Sequence, residues 1–493
     1  MKKSRLSVSS VAVSVACVVS ALGWTSTARA SDLEFPVKAP PVIPDLSWHG
    51  ISVIGAIDVS GMYQANGAPY VGMIYSPTGI LAPFNRSPQW LIAPNQSLQS
   101  FIGLKVEEPL TSNLKFIARA EMGFNPTTGD LADGLKSLQR NNGIPLNQQT
   151  VNADASRAGQ ILNGEAWVGF DSKPWGVVHI GRNNTVSLDM LGAYDPLASL
   201  GFSLYGAVSF LAGNGSAETA RVDQSIKYLN SYGPFRTEIM YGAPNTNVKN
   251  FLQGTLGYVQ PNFSIDFLGG HTDDSVSASS LGGAANLGSD FLGARIYNTD
   301  LYGVFAKYVF NVGGNGPLNT TESKFTLSGG YQRIIMSNPT DGGYGPGHTT
   351  FGDYQIGPVY STNGSIASGI VNYGFTGGDR KVDMSFIAGK YQYNSQLSMA
   401  LAYYRFDGNS YGFGVNSLPG IVAPIYSNVK CSSSSFTNCA GNEQVVSFRA
   451  DYQWTKNFML YAGVAYTKVS GGLAFSYLKD YTYNPTAGVR FTF

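Results

Sequence analysis

The sequence predicts an all-β fold, a transmembrane antiparallel β-barrel of about 16 strands. Three observations predict it. The chain begins with a removable secretion signal, segments of alternating apolar and polar residues recur along it, and the last segment, Thr486–Phe493, ends on an aromatic residue. In that segment Val489 and Phe491 fall on one face of a strand and Arg490 on the other, which suits a wall between lipid and water.

The first element is a signal peptide over residues 1–30. Basic residues at its start precede an apolar run from Val11 to Leu22, and Ala28 to Ala30 supplies the small residues of a cleavage site. The mature chain is therefore expected to start near Ser31. Cys17 lies inside the apolar run, so we expect it to leave with the signal.

The second element is a Pro-rich periplasmic lead over residues 31–45. Its stretch from Pro36 to Pro44 is typical of an extended polyproline segment. A contact with peptidoglycan or with a partner protein is the alternative interpretation.

The composition favours a closed barrel over other classes. With 59 Gly, 29 Tyr, 27 Phe and 13% charged residues, the chain resembles neither a soluble enzyme nor a disordered protein. After the signal no apolar run is long enough for a transmembrane helix, and a closed barrel is the other way to satisfy the backbone in lipid. The formal net charge is +1, and loss of the basic signal leaves a slightly acidic chain. Nothing in this balance suggests a nucleic-acid partner.

The third element is the barrel domain, residues 46–493, in which short connections alternate with long polar ones. The short ones, rich in Pro, Gly, Asn and Ser as tight turns require, are Glu108 to Asn113, Ser172 to Pro174, Tyr232 to Pro234, Gln260 to Asn262, Val312 to Ser323, Asn394 to Gln396 and Thr455 to Asn457. The long ones lie near residues 65–96, 126–158, 186–220, 274–297, 338–380, 408–442 and 471–484, with a short link near Pro244 to Asn247. About eight of this second kind alternate with about seven turns, which predicts about 16 strands with both chain ends at the periplasmic rim, and 14 or 18 as alternatives.

Two segments show the alternation most clearly. From Leu114 to Asn125 and from Val446 to Trp454, apolar residues alternate with polar ones that include Arg119, Glu121 and Arg449. A charge on a lipid face near the membrane midplane costs several kcal/mol, so these charges are expected to face a wet lumen. An antiparallel sandwich with one wet face does not easily use this many strands.

Several short stretches, in a particular order and spacing, carry a resemblance to a known family. They are Gly50–Asp58, Phe101–Lys105, Ala166–Phe170, Trp175–Asn183, Arg221–Tyr228 and Gly488–Phe493. Together they resemble the general porins of Gram-negative bacteria. The resemblance implies a homotrimer in the cell outer membrane, in contact with outer-membrane lipid and lipopolysaccharide. It also implies a water-filled channel for passive passage of ions and small hydrophilic solutes, with no cofactor.

In that family the third long loop folds into the lumen and sets carboxylates opposite basic residues of the wall. The matching loop here is residues 184–220. Residue by residue, Arg182 and Arg221 match wall arginines of the family. Asp189 and Asp195 match acidic positions of the loop. We therefore expect these four residues at the constriction of the pore.

Further candidates come from departures from the family pattern. Phe101 stands where a wall arginine is frequent, and Ser199 stands where a loop carboxylate is frequent. Arg119 points inward by alternation and is expected to replace the missing arginine, together with Lys105 on the neighbouring strand. Glu218, late in the loop, is a candidate from its charge alone. These changes predict a more positive constriction than in enterobacterial porins and a weak preference for anions.

Three features of this site have alternative interpretations. Simple alternation turns Arg182 the same way as apolar Ile180, and a bulge at Gly181 would re-aim it. The basic residues could also pair with Glu107, Glu121 or Asp223 and merely fill the lumen. The apolar loop stretch from Leu197 to Leu211 predicts packing of the loop on the wall, with a platform for solutes as the alternative.

Only Cys431 and Cys439 of the 3 cysteines remain after removal of the signal. In an exported chain, two cysteines in one Ser/Asn/Gly-rich stretch predict a disulfide within an external loop. A metal site is the alternative, but no His or further Cys lies nearby in sequence.

Other functions of a barrel remain as alternatives. A surface receptor or adhesin would bind a partner through the long loops, and a substrate-selective channel would bind one solute. An enzyme is disfavoured because His49, His179, His271 and His348 lie far apart in sequence and none belongs to a recognisable nucleophile motif.

Overall fold

The computed structural model of the protein describes residues 47–48, 50–66, 88–129, 131, 161–199, 201–205, 221–244, 250–273, 292–294, 298–314, 320–337, 345–346, 354–356, 359–360, 366–367, 373–374, 378–410, 440–471 and 479–493. The predicted signal peptide and Pro-rich lead, together with Glu218, Cys431 and Cys439, lie outside these residues. In the described part of the chain, no helix is long and apolar enough to cross a membrane.

Sixteen antiparallel strands form a closed barrel, as the sequence predicts. In chain order they are β1 (Ile51–Gln64), β2 (Gln89–Pro94 and Ser100–Pro109), β3 (Leu114–Phe124), β4 (Ala166–Ser172), β5 (Gly176–Asn184), β6 (Arg221–Tyr232), β7 (Phe235–Gly242), β8 (Phe251–Gln260), β9 (Phe263–Thr272), β10 (Asn298–Asn311), β11 (Lys324–Ser337), β12 (Arg380–Gln392), β13 (Leu397–Gly408), β14 (Gly441–Thr455), β15 (Phe458–Gly471) and β16 (Tyr481–Thr492). In the described part of the chain, helix α1 (Val186–Tyr194) follows β5.

Short strands add to this wall and to its long connections. Ser47–Trp48 pairs with the start of β1. Within the connections, the paired segments are Leu292–Ala294 with Tyr354–Ile356, Gly345–Pro346 with Tyr373–Gly374, and Val359–Tyr360 with Ile366–Ala367.

The barrel closes between β16 and β1. Ala56 lies opposite Thr492, and the backbone N–H of Phe493 donates to the carbonyl of Gly55 at 3.0 Å. Arg490 points into the barrel, as alternation predicts, with its guanidinium 3.7 Å from the Asp58 carboxylate. Closure leaves no free sheet edge, which is the condition for a sheet in lipid.

The short connections fall at the predicted turns. For example, Tyr232 pairs directly with Phe235, so that only two residues connect β6 and β7. Gln260 pairs with Phe263 in the same way. All tight turns lie at one rim and the long connections at the other, which makes these rims periplasmic and extracellular.

Alternation separates a lipid face from an inner face along every strand. On β13, Leu401 and Tyr403 are exposed on the outside, whereas Ala402 and Tyr404 are buried inside. Outward charges occur near the extracellular rim, where Arg333 of β11 binds the carboxylate of a β12 aspartate at 2.7 and 2.8 Å. The inner face therefore decides what the lumen contains.

β2 differs from the predicted strand because it is longer and interrupted. The sequence predicts a loop up to residue 96, but Gln89–Pro94 already pairs with β1. Asn95 then adopts a left-handed conformation with φ of 62° and ends the ladder. The buried carboxylate of Asp58 accepts the N–H groups of Ser97 and Leu98 at 3.0 Å, which satisfies backbone that left the sheet.

Candidate functional site

The third loop enters the lumen through helix α1. Thr185 precedes the helix, and its hydroxyl accepts the backbone N–H of Leu188 at 3.3 Å as an N-cap. The backbone N–H of Ser187 donates to the side-chain oxygen of Gln253 on β8 at 3.2 Å. The first turn of the helix is thus fixed to the barrel wall.

An apolar core holds the loop against that wall. Its loop members are Val186, Met190, Leu191, Tyr194, Leu197, Phe202, Leu204 and Tyr205. They pack with inward side chains of strands β6 to β15, such as Phe305, Met384 and Phe406. Burial of one large apolar side chain contributes roughly 1.5–3 kcal/mol. The predicted packing of the apolar stretch on the wall is confirmed for its described residues.

A polar anchor fixes the end of α1. The Tyr194 hydroxyl donates to the Asp266 carboxylate of β9, which also binds Arg236 of β7. Lys307 of β10 donates to the backbone carbonyl of Ala193 at 2.8 Å. A cation at this end of a helix also complements the helix dipole.

Asp195 forms a second anchor. Its carboxylate accepts the Leu197 backbone N–H at 2.9 Å, the Ser203 hydroxyl at 2.5 Å and the Tyr404 hydroxyl at 2.7 Å. Burial raises the pKa of Asp195 above its usual value, while the hydroxyl donors of Ser203 and Tyr404 oppose that rise. The sequence placed Asp195 among residues of the pore, but its side chain is only 3% exposed. A buried carboxylate needs several hydrogen-bond donors. Because one of these donors is Tyr404, Asp195 attaches the loop to β13.

The tip of the loop reaches the interrupted strand β2. The backbone N–H of Gly201 donates to the carbonyl of Gln96 at 2.9 Å. Phe202 packs edge-on against Tyr461 of β15, with ring centroids 6.4 Å apart. Ser199 is buried and its hydroxyl donates to the Leu197 carbonyl at 2.6 Å. The loop thus crosses the lumen from β5 to the strands near the closure.

Two predicted basic residues lie on the inner walls of β2 and β3. Lys105 is 45% exposed and binds Glu107 at 2.6 Å. Arg119 is 32% exposed and binds Glu121 at 2.5 Å and Glu165 at 3.4 Å. Both side chains point inward as predicted, and both are paired with a neighbouring carboxylate.

Arg182 lies elsewhere than the expected wall position. Its guanidinium is 5% exposed and donates to the Asp223 carboxylate at 2.7 Å and to the carbonyls of Gly164 and Asn163 at 3.0 and 3.2 Å. A register shift does occur after Gly181, which has φ of 141°. The shift turns Arg182 toward the chain segment that precedes β4, so the side chain fixes backbone instead of facing water.

Arg221 lies at the first position of β6, opposite Asn184. Its side chain is partly exposed, and it interacts electrostatically with the carboxylate of Glu165, as Arg119 does. Arg119 therefore binds Glu165 directly, and Arg221 adds a favourable electrostatic interaction with the same carboxylate. Glu165 was not predicted, because it precedes β4 in a segment that the sequence assigns to no strand.

Among the charged residues in the described part of the loop, Asp189 is the one whose side chain is partly exposed, at 33%. It pairs with Lys227 of β6, which is 4% exposed and also binds Glu238 of β7 at 2.7 Å. Lys227 and Glu238 were missed, although alternation with outward Ile226 indicates an inward Lys227.

Other partly exposed residues of the described loop carry no charge. They are Asn184, Leu188, Gly192, Ala193, Pro196, Ala198 and Gly201. Across the described lumen, opposite charges thus lie mainly side by side on the wall and not across the passage. In the residues that the structure describes, no group of three or more His, Cys, Asp or Glu side chains could hold a metal ion.

Comparisons with known proteins agree with this geometry. The chain matches the family model of the Gram-negative porins over residues 18–472. It is similar to the solved structure of an anion-selective porin from Comamonas acidovorans, with 13% identity and a TM-score of 0.53 over 90% of this chain and 99% of that one. It is also similar to the trimer form of OmpT, an outer membrane protein of Vibrio cholerae, with 12% identity and a TM-score of 0.50 over 90% of this chain and 99% of that one. No curated protein matches it in sequence.

Proposed function

Because the chain belongs to the Gram-negative porin family and forms an outer-membrane diffusion channel, we propose that its solutes pass between the third loop and the inner wall of β2 to β6. One observation carries this proposal: the described loop packs mainly on inward side chains of β6 to β15, whereas Lys105, Arg119 and Arg221 on β2, β3 and β6 remain partly exposed. The solutes are ions and small hydrophilic molecules, since charged side chains line that wall.

The residues of this passage have two roles. Lys105, Arg119, Arg221 and Asp189 line the constriction, because each keeps part of its side chain exposed. Buried Arg182 and Asp195 set the shape of the constriction through the backbone that they hold. Glu218 remains a candidate for the lining from its charge.

The ion preference of this passage is weak. Loss of the loop carboxylate at Ser199 favours anions, but Lys105 and Arg119 each have an acidic partner on the same wall. Side-by-side pairs produce a weaker field across a passage than charges that face one another. Passive movement along such a passage requires no catalytic group.

The channel assembles as a homotrimer in contact with lipid and lipopolysaccharide. In such a trimer a partner would cover apolar side chains on the outside of the first strands, among them Trp90, Ile92 and Val168, which are exposed in the single chain. We expect native mass spectrometry in mild detergent to detect three chains. Detection of monomers alone would argue against the trimer.

Conductance measures the channel directly. Refolded mature protein in planar lipid bilayers should produce stable current steps, and the open state should predominate. Protein that folds, as judged by its heat-modifiable migration, but produces no steps would contradict the diffusion channel. A receptor or adhesin that binds through its long loops would then be the better explanation.

A further inference from the structure

An aromatic platform lies on the inner wall of β4 and β5. Trp167 is on β4, where its neighbour Val168 is exposed on the lipid face, so the indole points inward. The ring stacks on the imidazole of His179 from β5, with centroids 3.6 Å apart and an interplanar angle of 7°. His179 thus holds the indole in one orientation, and the indole remains partly exposed.

Acidic and basic side chains both lie near this ring. The indole N–H of Trp167 donates to the Glu165 carboxylate at 3.2 Å. Arg119 lies directly opposite Trp167 in the pairing of β3 with β4, and it binds Glu121 and Glu165. On the other side, Lys227 lies opposite His179.

The mixture of charges decides which solutes suit this platform. An incoming carboxylate that approaches Arg119 meets Glu121 and Glu165, and an incoming cation that approaches these acids meets Arg119. A neutral solute is repelled neither by the acidic residues nor by Arg119. Its hydroxyl groups can accept from the guanidinium and donate to the carboxylates, while an apolar ring face packs on the indole.

We propose that Trp167, supported by His179 and flanked by Arg119 and Glu165, is a binding subsite for neutral sugars on their way through the channel. The inference rests on the proposed diffusion function and names a solute class for it. Binding is weak and reversible, because one aromatic face and a few exposed hydrogen bonds form the whole subsite.

The test uses the full mature protein in planar bilayers, with maltose as the probe. Maltose should reduce the ion current in a saturable manner, beyond the reduction by a polyethylene glycol of similar size. Trp167→Ala should raise the half-saturating maltose concentration about tenfold, and Trp167→Phe should raise it less. Trp175→Ala is the matched control, because Trp175 is 76% exposed at the periplasmic turn of the same hairpin. It should leave the concentration unchanged.

The outcomes separate the subsite from the channel itself. Salt conductance without maltose reports the diffusion function, and Trp167→Phe provides a milder change if Trp167→Ala does not fold. Normal conductance with no saturable effect of maltose would overturn the subsite alone. The subsite would also be overturned if both Trp167 variants kept the half-saturating maltose concentration unchanged. Tighter binding of benzoate or of a tetraalkylammonium ion than of maltose would overturn it as well.

Discussion

Asp195 shows how a charge inside a channel can serve structure. Its carboxylate lies under the loop, where the backbone of Leu197 and the hydroxyls of Ser203 and Tyr404 donate to it. The sequence identifies it as acidic and as part of the loop. It cannot show the burial, because Tyr404 is 209 residues away in the chain and meets Asp195 only after folding.

The first prediction concerns this anchor. Tyr404→Phe should lower the free energy of unfolding by about 1–3 kcal/mol, because the buried Asp195 carboxylate loses a donor. Urea titration in lipid vesicles measures it. Tyr403→Phe is the control, since its hydroxyl binds Gln444 on the exposed outer face at 3.1 Å. An equal loss in both variants would contradict the anchor.

A second prediction concerns ion preference. Replacement of Arg119 and Arg221 by Ser leaves Glu165 without its two neighbouring cations, so the reversal potential in a salt gradient should shift toward cations. The shift should weaken as salt rises, because the Debye length falls below about 8–10 Å above physiological ionic strength. Arg333→Ser on the outer face should not shift it. An unchanged potential in the double variant would place both arginines outside the constriction.

At the scale of elements, the loop is a packed unit attached to the inner wall. Phe202 is fully buried between the loop and β15. Phe202→Ala should therefore lower the free energy of unfolding by about 3–5 kcal/mol and increase fluctuations of the open-channel current, because it leaves a cavity beneath the loop tip. Tyr232→Ala at an exposed periplasmic turn is the control. If the Phe202→Ala variant showed no increase in current fluctuations and a normal free energy of unfolding, the loop tip would not depend on this ring.

The predicted disulfide belongs to the same scale and lies outside the described residues. A bond between Cys431 and Cys439 closes a small loop, which is worth roughly 2–3 kcal/mol in the loop-entropy model. Reduction should loosen this loop, as limited proteolysis reports, and leave the barrel and its conductance intact. Free thiols in the unreduced, unfolded protein would refute the bond.

Strands and turns could be predicted because their signals are local. Alternation along β3 and turn residues such as Pro234 decide the face and the end of a strand within a few positions. The interruption of β2 was missed because Asp58, on another strand, supplies the acceptor that permits it. Lys227 and Glu238 were missed for a similar reason, since an ion pair depends on two strands and a loop.

At the scale of the whole molecule, the two halves of the inner wall differ in chemistry. Strands β6 to β15 supply the apolar side chains on which the loop packs, and β2 and β3 supply Lys105 and Arg119, which stay partly exposed. Both sides come from one alternating pattern. The pattern predicts a barrel and an inner face. It does not predict which inner residues the loop covers, because that depends on the position at which the loop packs on the wall.

The meeting of the loop tip with β2 has a consequence for the order of assembly. Gln96 on β2 and Tyr461 on β15 lie on opposite sides of the seam where β16 joins β1, and the loop tip contacts both. Tyr461 also donates to Asp58 of β1 at 2.6 Å across that seam. The tip therefore has no complete docking place until the first and last strands have met. We therefore expect the tip to dock after the barrel has closed, so that a fully docked tip marks a barrel whose ends have already joined.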